Sequence, residues 1–447
     1  MVVRFRYLVP VILVGSLLSS VSVQAKEFIP RLGITMENHS NASRTDDPDA
    51  EIADTLMRPY FGFTFKENTT DLKAQADVLL LQESYSKNTF DTQFLPTVDV
   101  TLDWTIQPNR LSWVVEDYAY AQRITIVGAD TPDNRQIFNV LATGPDFVFA
   151  RGLYDGLAKL RLADVYYSES DQDNQRLITT GTLTRALNEY SDVGVEGSLS
   201  SVKFEEDYLI DYDLVSIVAR YNRDMPFGEL DVRGGVNYVD YEIGASESTP
   251  ALALKVSSYE GALHSWSLTY SNKYTDPAMD AYDPFYSRLL DVSETRVIDP
   301  GKIVGVGVYE TERTELNYGY NGARIGLTLG AFAGSSGFLL NAADDGEEKG
   351  GGVGLSYLVS ERMTLWLDYY QSRTEFPNNP NGSFAETASP SFGISYAITD
   401  SLNIVGGAYS TDNDSDIRDP ETNKLTQKYK DSVLYLTVEY KGQSKRF

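Results

Sequence analysis

Two histidines, one run of alternate aspartates and a few aromatic–carboxylate alternations are the places where this chain of 447 residues offers side chains for chemistry. His264 sits beside Ser265, but neighbours in an extended chain point to opposite faces, so adjacency does not make them a nucleophile–base pair. His39 opens an acidic stretch that runs to Asp54, and both histidines read as solvated side chains. With no Cys in the chain there is no Cys/His cluster for zinc. Asp412, Asp414 and Asp416, with Asn413 among them, match the first, third and fifth positions of a calcium loop. The match ends at Ile417, where the turn needs Gly, and at Asn423, where a bidentate Glu is needed. A solvated acidic rim is expected there, with no metal and no cofactor, and the chain is expected not to be an enzyme.

The elements that position these residues are strands. In Thr97–Ile106, Val98, Val100, Leu102, Trp104 and Ile106 fall on one side of an extended chain, and Thr97, Asp99, Thr101, Asp103 and Thr105 on the other. The pattern recurs at Leu72–Gln82, at Leu230–Tyr238, at Ile325–Ala331, at Met363–Tyr369 and at Leu434–Tyr440. No helical period persists past two turns. Tight turn signals such as Gln107-Pro108-Asn109, Asn321-Gly322, Ser360-Glu361 and Asp400-Ser401 alternate with longer acidic connections, including His39–Asp54, Tyr274–Gly301 and Ser410–Lys428. Short turns on one rim and long loops on the other are the pattern of a transmembrane barrel. A membrane leaves no water for an open sheet edge, so such strands close on themselves.

The leader agrees. Arg4 and Arg6 precede the apolar run Tyr7–Leu18, and Val23-Gln24-Ala25 offers a small-residue cleavage site, so residues 1–25 read as a signal peptide. Its loss takes the formal charge from −26 to −28. No later segment has the uninterrupted apolar run of a membrane-spanning helix. The expected architecture is all-β: a single antiparallel outer-membrane β-barrel over residues 26–447, of about 20 strands (18 to 20), with short periplasmic turns and longer acidic extracellular loops. Tyr60, Trp113, Tyr166, Tyr238, Tyr369 and Tyr440 are candidates for its interfacial girdles.

The segment Ser84–Phe147 contains NTFDTQFLPTVDVTLDWTIQPNRLSWVVEDYAYAQ and TPDNRQIFNVLATGPDF, and PRLGITMENHSNAS precedes it. Together with the leader, these resemble the outer-membrane barrel proteins encoded with exopolysaccharide and PEP-CTERM/exosortase systems of Gram-negative bacteria. The resemblance is strongest over the first half and carries no catalytic motif. It implies a barrel of the outer envelope linked to export or surface assembly of a polysaccharide, with other envelope export components as partners.

Charge bears on what such a barrel handles. Lipid-facing positions carry charge only at a cost, so most of the 64 Asp and Glu belong to the lumen, the loops or the turns. An acidic lumen disfavours anions and nucleic acid and tolerates neutral or cationic solutes. The candidate lumen-lining residues are Asp99, Asp103, Asp231, Arg233, Arg324, Trp366, Asp368 and Tyr370. Trp366 and Tyr370 beside Asp368 could stack on sugar faces while carboxylates accept hydroxyl hydrogen bonds; equally, such residues fill and hydrate an interior. Two roles stay open: a conduit or export component for exopolysaccharide, and a non-conducting barrel whose acidic loops serve surface assembly or adhesion.

Overall fold

The computed structural model describes all residues except 1–25, 125–128, 259–260, 262, 277–306, 341–344, 419–424, 426–427, 444 and 447. The expected signal peptide therefore lies outside the described residues. The chain is a closed antiparallel barrel of 20 strands. The first ten are β1 (Lys26–His39), β2 (Asp54–Asn68), β3 (Leu72–Tyr85), β4 (Gln93–Gln107), β5 (Leu111–Arg123), β6 (Arg135–Arg151), β7 (Tyr154–Tyr167), β8 (Asn174–Asn188), β9 (Ser191–Phe204) and β10 (Tyr212–Met225). The second ten are β11 (Gly228–Tyr241), β12 (Ser246–Ser258), β13 (His264–Thr275), β14 (Tyr309–Asn321), β15 (Ile325–Phe338), β16 (Gly346–Ser360), β17 (Met363–Glu375), β18 (Phe384–Ala397), β19 (Leu402–Ser415) and β20 (Tyr429–Lys441). Each strand pairs with the next, and β1 closes the ring on β20 with Thr35 opposite Thr437. A two-residue strand, β21 (Lys445–Arg446), pairs with the start of β1.

Tight turns occupy one rim, for example residues 69–71, 108–110 and 152–153, and longer connections such as 40–53 occupy the other. The turn after β4 shows why its sequence suits it. Pro108 fixes its own φ, Asn109 adopts a φ of 58° that a short polar side chain tolerates, and the Arg110 amide closes the turn on the Gln107 carbonyl at 3.1 Å. Asn321 and Gly322 likewise end β14, where the Gly322 amide donates to the Ile325 carbonyl at 2.9 Å.

Antiparallel partners lie on the same face of the sheet, so the ladder sorts the side chains around the whole ring. One face carries Leu32, Phe61, Trp104, Ile217, Leu252, Leu316, Leu367, Phe392 and Leu434, all exposed. Large apolar groups exposed around a closed sheet form the lipid-facing belt. The other face carries Glu37, Arg58, Glu83, Asp99, Arg176, Asp231, Asp368 and Asp431, and is the lumen wall. Strands of 12 to 17 residues exceed the ~9–11 that a tilted crossing needs. The surplus projects beyond the belt on the long-loop side, where the outer face turns to ion pairs such as Lys349–Glu375 at 3.4 Å.

Three local readings change. His39 is the last residue of β1 and only 3% exposed, because β1 runs one residue further along β20 than the acidic stretch suggested. Tyr60 lies on the lumen face, where the ladder sets it opposite Gly33 and its ring fills the space that a Cβ there would take. The lumen face is also not polar throughout. Phe138, Val140 and Ala142 of β6, Ala163, Val165 and Tyr167 of β7 and Ile178 of β8 form one buried apolar cluster. Val202, Tyr212, Leu214, Val239 and Tyr241 form another, against Tyr274 and Val308 at the base of the 276–308 connection.

Candidate functional site in the barrel lumen

The strand ladder fixes where the predicted lumen residues stand. Asp99 sits opposite Asp77 and Tyr118, and Asp103 opposite Lys73 and Val114. On the far wall, Asp231 and Arg233 are adjacent inner positions of β11, in one ion-pair cluster with their neighbours. There Arg233 reaches Glu196 and Asp231 at 3.1 Å each, and Arg220 reaches Glu196 at 3.3 Å and Asp231 at 3.4 Å. Arg324 is a correction: it falls in the tight turn between β14 and β15, exposed and off the wall, because β14 ends at Asn321 and leaves three residues to turn.

Trp366, Asp368 and Tyr370 share the inner face of β17, opposite Ser356, Gly354 and Gly352 on β16 and Gly393, Ser391 and Ser389 on β18. The surrounding inner positions are small as well, including Gly319, Thr328, Gly330 and Gly350. The result is a trough of about 640 Å³ whose lining includes Lys255, Ser267, Asn317, Thr328, Asp368 and Tyr370. Two rings near it lean across the wall. A Cβ on Gly393 would come within 2.2 Å of Trp366 Cζ2, and one on Gly350 within 2.7 Å of Phe332 Cζ. Phe332 and Tyr370 are stacked, centroids 6.4 Å apart and planes 18° apart, and the Arg313 guanidinium lies 4.7 Å from the Phe332 centroid.

Sequence reasoning missed the layer at the long-loop end of the lumen. His39 stands between two carboxylates, Nδ1 2.6 Å from Asp431 Oδ2 and Nε2 3.1 Å from Glu37 Oε2, which suits a ring whose nitrogens both donate. Arg58 links Glu37 at 2.6 Å to Glu83 at 2.8 Å, and Arg135 links Glu83 at 2.8 Å to Asp130 at 2.7 Å. From the 40–53 connection, Arg44 reaches Asp130 at 3.4 Å and lies 5.9 Å from the Tyr429 ring centroid. A second lock holds the segment after β13: Arg176 donates to both oxygens of Asp276 at 2.7 and 2.9 Å, with Asp276 only 1% exposed. A signal was available. Glu37, Arg58 and Glu83 are polar-face residues near the long-loop rim of three successive strands, and their charges alternate from one to the next.

This layer is matched by a gradient of burial along the barrel. Along β8 the inner positions Asn174, Arg176 and Ile178 are buried, whereas Thr180, Thr182 and Thr184 are accessible. Asp99, further from the long-loop rim on β4, four strands round the ring, is exposed on the inner face while its outer neighbours Val98 and Val100 are buried. On β8 and β4 the inner side chains are thus more buried toward the long loops than toward the tight turns.

Asp130 lies in the 124–134 connection, outside the wall. Burial alone would raise its carboxyl, but the guanidinium groups of Arg135 and Arg44 outweigh burial and hold it below the usual carboxylate range. A depressed acid contributes stability that is present above its ordinary pKa, near ~3.9, and lost as pH falls through the folded value. The clamp between the two connections should thus resist a loop-directed protease equally from pH 8 down to about 4 and loosen only below that. Asp130→Asn should be cleaved faster across that whole range; equal cleavage of both proteins would show that the ion pair does not hold the loops.

The remaining motifs go elsewhere. Asp412 and Asp414 belong to β19 and point outward beyond the apolar belt, pairing with Lys430 at 3.4 Å and Lys428 at 3.2 Å. Asp416 caps the backbone of Ser383 and Phe384 at 2.7 and 2.9 Å, and Asn423 lies outside the described residues. No carboxylate or histidine group able to hold a metal occurs among the described residues. His264 is an exposed outer residue bonded to the Tyr318 hydroxyl at 2.8 Å, with Ser265 on the opposite face.

No family model matches the chain, and no curated protein matches it. Among solved structures, a mutant of the ferric enterobactin receptor PfeA from Pseudomonas aeruginosa is similar over 94% of this chain and 81% of its own, with 11% identity and a TM-score of 0.50. Another mutant of PfeA, in complex with enterobactin, is similar over 94% and 82%, with 10% identity and a TM-score of 0.50. The siderophore receptor PirA of the same species covers 94% and 81%, at 11% identity and a TM-score of 0.47. At these identities the likeness shows the fold. Together with the closed ladder and the apolar outer belt, it defines the chain as a β-barrel of the outer-membrane class. None of these comparisons supports the exopolysaccharide association.

Proposed function

We propose that this barrel is an outer-membrane conduit or assembly component for exopolysaccharide, entered from the tight-turn side and closed at rest by the charged layer under its long loops. The supporting observation is the asymmetry of the lumen. One accessible part of it is a trough lined by hydroxyls, glycine backbone, the carboxylate of Asp368 and the ammonium of Lys255, charges of both signs that do not single out an anion. Such a surface suits a neutral, hydroxyl-rich polymer. The buried layer favours a second reading, in which the barrel stays shut and its acidic loops act at the surface.

Deleting the gene and measuring secreted polysaccharide separates the two. The conduit reading expects secretion to fall and to return with the intact gene. Unchanged secretion, together with purified protein that passes no neutral sugar into liposomes, would leave the closed barrel as the better account. Uptake of a ferric siderophore that depends on the protein would instead give it the cargo named for its structural neighbours.

A further inference from the structure

We propose that the outer wall at the tight-turn end of β6 to β10 is a binding site for anionic phospholipid, in which Arg151, Arg185 and Arg223 hold the headgroup phosphate. The short turns of such barrels face the periplasm, so the lipid belongs to the periplasmic leaflet. The inference concerns how the barrel is seated in its bilayer and stands whichever solute the lumen takes.

The arginines of this chain divide by place. Those of the lumen and of the long-loop end are engaged by carboxylates, as at Arg58, Arg176 and Arg220. Arg151, Arg185 and Arg223 are exposed and make no ion pair among the described residues. Each stands close to a tight turn: Arg151 just before residues 152–153, Arg185 before 189–190 and Arg223 before 226–227. The ladder sets all three on the outer face. Tyr154, itself exposed, is the ladder partner of Arg151 on one side and of Arg185 on the other. Arg223 is in step with Ile217 of the apolar belt and lies opposite Leu230. Phe149, Leu183 and Leu187 are exposed on the same face beside them, so the guanidinium groups stand at the edge of the belt, where headgroups lie.

Charge is sorted across this part of the wall. Its inner face carries Asp155, Asp192, Asp224 and Glu229, and the first three line a hollow of about 380 Å³ with Glu189 of the turn after β8. The outer strand positions beside the turns carry no acid. A cation on a lipid-facing wall is costly unless it reaches a headgroup, where a phosphate takes the part that a carboxylate plays in the lumen. The Arg185 guanidinium lies 5.5 Å from the Tyr154 ring centroid, a stacking that steadies it and uses none of its N–H groups. Arg151 and Arg185 are two strand spacings apart, about 10 Å, close enough for two long side chains to meet on one phosphate. A lipid of net negative charge is favoured over a zwitterion, whose ammonium these cations repel.

The test is electron spin resonance of spin-labelled lipids in bilayers that hold the full chain, with phosphatidylglycerol and phosphatidylcholine probes of the same acyl chain. Wild type should associate with the phosphatidylglycerol probe about fivefold more strongly at low salt, and the preference should shrink in high salt. Arg151→Gln with Arg185→Gln should cut it to about twofold or less, and adding Arg223→Gln should remove it. Arg324→Gln with Arg362→Gln, the same change of charge in turns across the ring, should leave it. Retained heat-modifiable migration on a gel reports that each variant is still a folded barrel. Equal association of the two probes with wild type, or an equal loss in the two double variants, overturns the proposal. So does a preference that inorganic phosphate abolishes and chloride of the same ionic strength does not, because the arginines would then take a free anion.

Discussion

Arg58→Ala should be among the most damaging single substitutions in this barrel, lowering its stability by about 3–5 kcal/mol. The side chain is the cation shared by Glu37 and Glu83, at 2.6 and 2.8 Å, and both carboxylates are under 5% exposed. Removing it leaves two buried acids to the remaining cations, Glu37 to the His39 it shares with Asp431 and Glu83 to Arg135. The cost comes from the charges left behind rather than from the net value of the pair, which desolvation makes small. Arg58→Met combined with Glu37→Gln and Glu83→Gln should therefore recover most of the loss. The measurement is the temperature at which the folded band disappears from a semi-native gel: a large drop for Arg58→Ala and a partial return for the triple variant are expected. A drop no larger than that of an exposed lysine, such as Lys430→Ala, would show that the layer is not a buried network.

Arg176→Ala should cost a similar amount, about 3–5 kcal/mol, with a different local consequence. Arg176 holds both oxygens of Asp276, the first residue after β13, against the inner face of β8. Its loss should free the segment for proteolysis, a change that Arg58→Ala, on the opposite wall, should not produce. Because the two clusters share no residues, their effects should add to within about 0.5 kcal/mol. Strong non-additivity would mean that the locks form one cooperative closure. Both variants should also raise conductance, since each removes part of what seals the long-loop end.

How much of this could be read from the chain follows from which forces are local. The strand Thr97–Ile106 was legible because alternation in one strand records which side meets lipid, and the ladder sets Asp99 and Asp103 on the face opposite the belt. The turns at Pro108-Asn109 and Asn321-Gly322 were legible because backbone preference is a property of two residues. Alternation fails where both faces are apolar: in β6, Ile137 and Leu141 face outward while Phe138 and Val140 face inward, so a strand of 17 residues looks like two short ones. It also says nothing about what crosses the lumen. His39 and Asp431 are 392 residues apart, and only closure of β1 on β20 brings them together. Arg324 was misplaced because a one-residue difference in where β14 ends decides between wall and turn. The trough was half legible: Trp366, Asp368 and Tyr370 alternate in the sequence, but the glycines that lay their rings against the wall come from β16 and β18.

Single-channel recording in a planar bilayer tests the central claim most directly, that this is a conduit closed by a buried charged layer. Wild-type protein should show a low resting conductance, Arg58→Ala and Arg176→Ala should open it severalfold, and a neutral oligosaccharide added on the tight-turn side should block the opened channel. A large steady wild-type conductance, or opened channels that sugar never blocks, would contradict it.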